Sequence, residues 1–326
     1  MSSIDVFAQN RRLGRGVNVI GYDQALWQGS DQARMQDKHF RLIAEAGFNH
    51  VRINLHPFKH MDDAPDYAIR PVWLKTLDWA VAQALEVDLL VILDMHEFGA
   101  MARDFEGLKA KYLAVWEQLA ARYKDHPDSV IFELLNEPNG DLTVALWNQF
   151  LVEPYEIVRR TNPDRTLIIG PAFWNGIDHL DELVLPEADR NIIATVHYYH
   201  PMDFTHQGAH WSKHRDLSGV EWRGTPEEKE KIARDLGGVQ AWAEAQDRPI
   251  LLGEFGAYEK ADMASRARYT SYMARHAERL GWSWSYWQFD SDFVVYDIDR
   301  DGWVTPILNA LIPNALIPNA LIPQQS

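Results

Sequence analysis

The sequence contains no cysteine, so disulfide bonds and thiol chemistry are excluded. It also lacks an apolar run of about 18 residues, so we expect no membrane-spanning helix. Residues 1–16 are polar and hold no apolar signal-peptide segment, which leaves export open. Basic residues are few, because 32 Lys and Arg stand against 47 Asp and Glu, a net charge of −15. Such a surface repels phosphate backbones, so we expect no nucleic-acid partner.

Short apolar segments alternate eight times with longer segments of helical periodicity. The apolar segments predict buried parallel strands, and the amphipathic segments predict helices between them. The predicted strands are 16–22, 50–55, 89–96, 130–137, 166–171, 192–199, 250–255 and 283–289, and the predicted helices are 31–46, 71–86, 108–123, 143–160, 177–185, 226–245 and 262–280. No glycine-rich phosphate fingerprint follows the first strand. This pattern predicts a single (β/α)8 TIM barrel over residues 1–308.

Residues 309–326 contain Asn-Ala-Leu-Ile-Pro three times in tandem. A period of five fits neither a helix nor a strand, and the proline in each copy interrupts a helix. Duplication of a natural chain end is one explanation. Alternatively, the apolar Leu-Ile pairs dock onto a surface, such as that of a second copy, and the protein is a homo-oligomer.

Polar side chains end several of the predicted apolar strands, where a barrel builds its active site. The relevant segments are Arg52 in strand two, Asp94-Met95-His96-Glu97 in strand three, Asn136-Glu137-Pro138 in strand four, His197-Tyr198-Tyr199-His200 in strand six, Gly253-Glu254-Phe255-Gly256 in strand seven and Trp287-Gln288 in strand eight. A buried strand has no structural reason to end in a carboxylate, because an unpaired buried charge is costly. A structural ion pair would explain one such glutamate. Two of them, Glu137 and Glu254, predict a functional site.

Two carboxylates that face each other across a barrel mouth suit glycoside hydrolysis. One must be protonated to donate to the leaving oxygen, and the other must be ionised to attack the sugar or to stabilise the oxocarbenium-like transition state. We expect Arg52 and Tyr199 to hold Glu254 anionic through an ion pair and a hydrogen bond. We expect Asn136 to hydrogen-bond a sugar hydroxyl beside the reacting carbon.

From Arg15 to Trp287 the sequence resembles glycoside hydrolase family 5, a cellulase-rich family of retaining (β/α)8 enzymes. Asn136-Glu137-Pro138 resembles the family's acid/base motif, and Gly253-Glu254-Phe255-Gly256 resembles its nucleophile motif. The resemblance implies Glu137 as general acid/base and Glu254 as nucleophile. Further residues that match the family in strand order are Arg52, His96 in a substrate-contacting position, His197, Tyr199 and Trp287. Glu97 departs from the pattern, since many members carry a second histidine there.

The 13 tryptophans include candidates for sugar stacking. We expect Trp287 to form the floor of the subsite at the cleaved sugar. Trp27, Trp174 and Trp211 lie in predicted βα loops, where lining further subsites and packing in the interior are both open, as they are for Tyr22.

Five histidines between residues 197 and 214 raise the question of a metal. The sequence has no paired His-x-His on an early strand and no His-Glu-x-x-His helix. We therefore expect loop or sugar-contacting histidines, no metal and no cofactor.

The resemblance implies a retaining endo-β-1,4-glucanase that cleaves cellulose-like or mixed-linkage β-glucan. An endo-β-1,4-mannanase and an exo-β-glucosidase are alternatives within the same family. Two alternatives come from other classes: a carbohydrate-binding barrel without activity, and a metal-dependent hydrolase that uses the strand-six histidines. A polymer substrate favours a secreted or periplasmic location, with the cytoplasm left open.

Overall fold

A computed structural model of the chain describes residues 5–313 and residue 315. Eight parallel strands form a closed barrel in which each strand pairs with the next and β8 pairs with β1. The strands are β1 (Arg15–Val19), β2 (His50–Leu55), β3 (Leu90–Met95), β4 (Val130–Glu133), β5 (Leu167–Ile169), β6 (Ile192–His197), β7 (Ile250–Glu254) and β8 (Ser283–Tyr286). The predicted (β/α)8 barrel is confirmed. Strands β2 to β8 are buried along their whole length, which explains their nearly continuous apolar sequence.

Helices connect the strands. They are α1 (Val6–Leu13), α2 (Gln24–Trp27), α3 (Asp37–Glu45), α4 (Pro71–Glu86), α5 (Phe98–Met101), α6 (Phe105–Tyr123), α7 (Val144–Phe150), α8 (Val152–Thr161), α9 (Ala172–Asn175), α10 (Met202–Thr205), α11 (Pro226–Gln246), α12 (Met263–Arg279) and α13 (Thr305–Leu311). Two 3-10 turns cover Phe58–His60 and Ile177–Glu182, and a hairpin joins β9 (Tyr296–Asp297) to β10 (Gly302–Trp303). Of the helices within residues 5–313, none is long and apolar enough to cross a membrane.

The helix boundaries agree with the predicted ones in part. Helix α4 has the predicted bounds 71–86, with proline in its first turn, whereas other helices differ. The predicted helix 143–160 is divided at Leu151 into α7 and α8. The predicted helix 177–185 is a 3-10 turn that ends at Glu182.

Helix α1 has no counterpart among the predicted elements. The Asp5 carboxylate caps it by accepting hydrogen bonds from the backbone N–H groups of Phe7 and Ala8. The Asn10 side chain donates to the carbonyl oxygen of Ile250, at the start of β7, at 3.2 Å. Apolar residues of α1 join the interior cluster of Val6, Leu13, Leu90, Ile92, Ile131, Ile168, Ile193 and Leu251. Helix α1 thus fills the end of the barrel opposite the C-terminal strand ends.

The last described helix, α13, contains part of the first Asn-Ala-Leu-Ile-Pro copy and packs against α12. Leu311 and Ile312 are buried, so the first copy contributes to the core. The second and third copies lie outside the described residues, apart from Ala315, and so does the oligomer contact predicted through them. The division of the chain at residue 308 stays a prediction.

Candidate active site

The two candidate glutamates meet at the C-terminal end of the barrel. Glu254 is the last residue of β7. Glu137 lies beyond β4 rather than on it, because that strand ends at Glu133 and Glu137 has a left-handed φ of +44°. One carboxylate oxygen from each and one ring nitrogen of His197 all lie within 4.8 Å of one another.

The fully buried Arg52 supports this pair from below. Its guanidinium donates two hydrogen bonds to Glu133, at 2.7 and 2.8 Å, and one to Glu254 at 3.0 Å. It also donates to the side-chain oxygens of Asn18 and Asn136, both at 2.7 Å. The predicted pairing of Arg52 with Glu254 is present, but it is one contact of several. A planar five-donor guanidinium suits this arrangement, since it satisfies several fixed acceptors at once.

Glu254 accepts a second hydrogen bond from Tyr199, whose hydroxyl lies 2.9 Å from Oε2. This is the predicted contact. His197 Nδ1 is 3.6 Å from the same oxygen. The hydrogen bonds from Arg52 and Tyr199 therefore stabilise the ionised form of Glu254 directly.

Glu137 has a different set of neighbours. Its Oε1 lies 2.7 Å from His197 Nδ1, and the Asn175 amide lies 3.3 Å from the other ring nitrogen. The amide thus orients the ring that holds Glu137. The cationic Arg52, which contacts Glu254, makes no hydrogen bond to Glu137 among the described contacts.

Burial raises the pKa of both glutamates, to about 8 for Glu137 and about 7 for Glu254. For Glu137, the negative charges of Asp94 and Glu133 add to burial, while Arg52 opposes it. For Glu254, His197 and Arg52 oppose burial, and the negative charge of Glu137 adds to it. The neighbouring cations thus favour the ionised form of Glu254. However, Arg52 limits the rise of the Glu254 pKa rather than holding it below its ordinary value.

The strand-three residues lie beside this pair. His96 is buried and its Nδ1 lies 2.5 Å from Asp94, while its ring stacks on Trp287 with centroids 5.5 Å apart. The side-chain oxygen of Asn136 accepts a hydrogen bond from Arg52, and the side-chain nitrogen of Asn136 lies 3.5 Å from His96 Nε2. Glu97 accepts a hydrogen bond from the backbone N–H of Phe58 at 2.7 Å.

The glutamates open into a cleft of about 1120 Å³. Tyr22, Trp174, Trp211 and Trp287 line it together with His96, His197 and Tyr199. Trp174 and Trp211 are 52% and 48% exposed, which is unusual for rings that serve packing alone. The structure corrects the placement of Trp27 among the candidate subsite residues. Trp27 is 1% exposed, and its ring stacks on that of Trp73 with centroids 4.9 Å apart. Its indole N–H is satisfied by the carbonyl oxygen of Ile20, so Trp27 belongs to the core.

The loop histidines His200, His206, His210 and His214 also line the cleft. His214 Nδ1 lies 2.9 Å from Asp203, and His206 Nδ1 lies 2.9 Å from the Thr205 hydroxyl. Within residues 5–313 and 315, the group of three potential ligands close enough for a metal ion is Glu137, His197 and Glu254. This group consists of the carboxylate pair and His197, and none of the four loop histidines belongs to it.

Glu133 was not among the predicted site residues. It is fully buried on β4 and binds Arg52 through both carboxylate oxygens. A signal was present, since a charged residue inside the apolar run of β4 requires a buried partner. Asn54, another buried polar residue, donates to Asp94 at 2.9 Å and was missed for lack of any such signal.

Comparison with known proteins identifies the family. A family model described as Cellulase (glycosyl hydrolase family 5) matches residues 12–292. Endoglucanase H of Acetivibrio thermocellus is 29% identical over 318 residues, which cover 95% of this chain and 34% of that protein. Endoglucanase C of the same organism is 28% identical over 313 residues, covering 84% of this chain and 90% of that protein. The chain spans about a third of Endoglucanase H and of Cellulase/esterase CelE, a further relative from this organism.

Solved structures share the fold. Thermotoga maritima Cel5A in complex with mannotriose superposes with a TM-score of 0.90 at 39% identity, over 94% of this chain and 100% of that one. Cel5A in complex with cellobiose gives the same TM-score of 0.90 at 40% identity, over 94% and 100% of the two chains. The family match and these structures agree. The chain belongs to glycosyl hydrolase family 5, the cellulase family, and its barrel is a glycoside hydrolase domain of the cellulase type.

Proposed function

We propose that the protein is a retaining endo-β-1,4-glucanase that cleaves internal bonds of cellulose-like or mixed-linkage β-glucans without a cofactor. The observation that carries this proposal is the pair of carboxylates at the base of a cleft, where one oxygen of the half-buried Glu137 lies within 4.8 Å of one oxygen of the buried Glu254. Inverting glycosidases need about 6.5–9.5 Å between the carboxyl groups to hold a water, whereas retaining ones use about 5–5.5 Å.

In the first step, Glu254 attacks the anomeric carbon and forms a glycosyl ester. The bond to the leaving oxygen breaks, and that oxygen takes the proton of Glu137. Tyr199 and Arg52 suit this division of roles, because they stabilise charge on Glu254 before the attack. The higher pKa of Glu137, about 8, keeps its proton available near neutral pH.

In the second step, Glu137 accepts a proton from water, whose oxygen attacks the anomeric carbon and releases Glu254. The two steps invert the carbon twice, so the product keeps the β configuration. His197 contacts Oε1 of Glu137 at 2.7 Å and holds the carboxyl group in place, which leaves Oε2 to serve both proton transfers.

The substrate class is supported by the cleft and by the relatives. Exposed aromatic rings on separate loops, Trp174 and Trp211, suit a chain that extends beyond the cleaved bond. Relatives named endoglucanases support glucan, and the Cel5A complex with mannotriose favours mannan as the second candidate. A polymer of this kind would be met outside the cytoplasm, so we propose a secreted or periplasmic location.

A substrate panel tests the proposal. We expect release of reducing ends from carboxymethyl-cellulose and barley β-glucan, slower release from mannan, and little from xylan, with a rapid fall in β-glucan viscosity as the mark of internal cleavage. Full activity after treatment with a chelator is expected. Preference for mannan would assign the second candidate, and loss of activity on chelation would favour the metal-dependent alternative. Binding without release of sugar would leave a carbohydrate-binding barrel.

Replacement of each glutamate separates the two roles. We expect Glu254→Ala and Glu137→Ala each to lower kcat on β-glucan by about 10³-fold or more. On an aryl cellobioside with an activated leaving group, Glu137→Ala should recover much of the first step, because that leaving group needs no proton, and Glu254→Ala should not. Stopped-flow release of the aryl group measures this step. Equal behaviour of the two variants on the activated substrate would refute the assignment.

The pH profile tests the role of Tyr199. Glu254 must be ionised to attack, so its pKa sets the acidic limb of kcat/KM. In Tyr199→Phe the carboxylate loses a donor that stabilises its charge, so its pKa rises and the acidic limb moves up by about 0.5–1 pH unit. The matched control is Tyr198→Phe, whose hydroxyl donates to Asp235 at 2.6 Å instead. If the acidic limb of kcat/KM stayed in place in Tyr199→Phe, or moved equally in the control, the proposed role of Tyr199 would be contradicted.

A further inference from the structure

Three consecutive residues after β5 adopt a strained backbone. Phe173, Trp174 and Asn175 have φ angles of +57°, +60° and +52°, the left-handed region that residues other than glycine rarely occupy. Asparagine tolerates this region, but two aromatic residues do not favour it. Strain of this kind persists only where the surroundings enforce it, and it concentrates at functional sites.

The surroundings that enforce the strain belong to the acid/base side of the site. The backbone N–H of Trp174 donates to the carbonyl oxygen of Pro138, the residue after Glu137, at 3.2 Å. The Asn175 amide lies 3.3 Å from His197, which holds Glu137. The run is therefore fixed to the carboxylate that protonates the leaving group.

The residues under the run are closely packed. A Cβ atom added to Gly170 would lie 2.2 Å from Asn175 Oδ1, so the glycine there lets the asparagine approach. Asn175 is fully buried. The two aromatic side chains that precede it are left exposed, at 41% for Phe173 and 52% for Trp174.

Phe173 also has a partner that holds its ring in place. Its ring stacks on His179 with centroids 4.2 Å apart and planes at 26°, and both residues line the cleft. The Trp174 ring is 6.4 Å away. A strained backbone that exposes a fixed apolar ring does not stabilise the folded chain, so its presence points to a ligand. A flat apolar ring in the cleft of a glycoside hydrolase offers a face to the C–H side of a sugar.

We propose that Phe173, held by His179, is a specificity-determining residue that binds a glucose unit on the leaving-group side of the cleaved bond, next to the unit that contacts Trp174. The inference rests on the proposed glucanase function. The side follows from the hydrogen bond between Trp174 and Pro138, since it ties the run to the turn that carries Glu137. Phe173 therefore favours long glucan chains over short ones and sets where along the chain the bond is cut.

Oligosaccharide kinetics with Phe173→Asn test the inference, because asparagine accepts the left-handed backbone and removes the ring. We expect the ratio of kcat/KM on cellohexaose to kcat/KM on an aryl cellobioside to fall about fivefold, the contribution of one aromatic contact. Cellopentaose labelled with heavy oxygen at its reducing end reports the side. The labelled fragment should become shorter, because fewer sugars gain from binding on the leaving-group side.

Controls keep the outcome decisive. Phe173→Gly removes the ring with the least backbone strain and should reproduce the result if asparagine disturbs the fold. Phe7→Ala removes an exposed phenylalanine of α1 at the other end of the barrel and should leave the ratio unchanged. An unchanged ratio and cleavage pattern in both Phe173 variants would overturn the inference alone, and a longer labelled fragment would place the site on the wrong side. A wild-type protein that cleaves no cello-oligosaccharide would overturn the proposed function together with it.

Discussion

The hydrogen bonds of the buried Arg52 guanidinium hold the residues of the site together. It connects β2 to Asn18 on β1, Glu133 on β4 and Glu254 on β7, and it also binds Asn136. A buried cation without partners would destabilise the fold strongly, but here each acceptor lies at hydrogen-bond distance. The same contacts fix the position of Glu254 across the barrel. Folding and catalysis therefore use one set of bonds.

The charge balance around Arg52 explains the proposed difference between the glutamates. The guanidinium contacts three buried carboxyl groups, those of Asp94, Glu133 and Glu254, so carboxyl groups outnumber the cation. Burial, together with the negative charges of Asp94 and Glu133, raises the pKa of Glu137 to about 8, which favours its protonated form near neutral pH. Its pKa of about 8 in the folded state exceeds the ordinary value of 4.5, so proton binding favours folding, and this contribution to stability falls as the pH rises between those values.

The fold and the main site residues could be predicted from the sequence because both leave local signals. Eight apolar segments with helical spacers specify a barrel, and the barrel fixes which end holds the site. Glu254 at the end of β7 follows from that rule alone. Glu137 was expected at the end of β4, whereas the structure places it in the cleft beyond that strand. The left-handed turn that places it there has no signal in an Asn-Glu-Pro triplet.

Features that depend on tertiary contacts could not be predicted in the same way. Trp27 lies in a βα segment, as Trp174 does, yet it stacks on Trp73 in the core while Trp174 is exposed. Only the packing of α2 against α4 distinguishes them. Helix α1 is short and polar on one side, and its place at the base of the barrel follows from contacts with β7 and β8 that are distant in sequence. The exposure of Phe173 likewise results from the strained backbone and not from its own sequence context.

The proposed mechanism assigns to Glu254 and Glu137 two successive displacements at one anomeric carbon. The most direct measurement is proton NMR of the sugar that is first released from a soluble β-glucan oligosaccharide, recorded before mutarotation. Double displacement gives the β anomer as the initial product, with the α anomer growing in later. An α anomer as the initial product would mean a single displacement by water and would rule out the proposed mechanism.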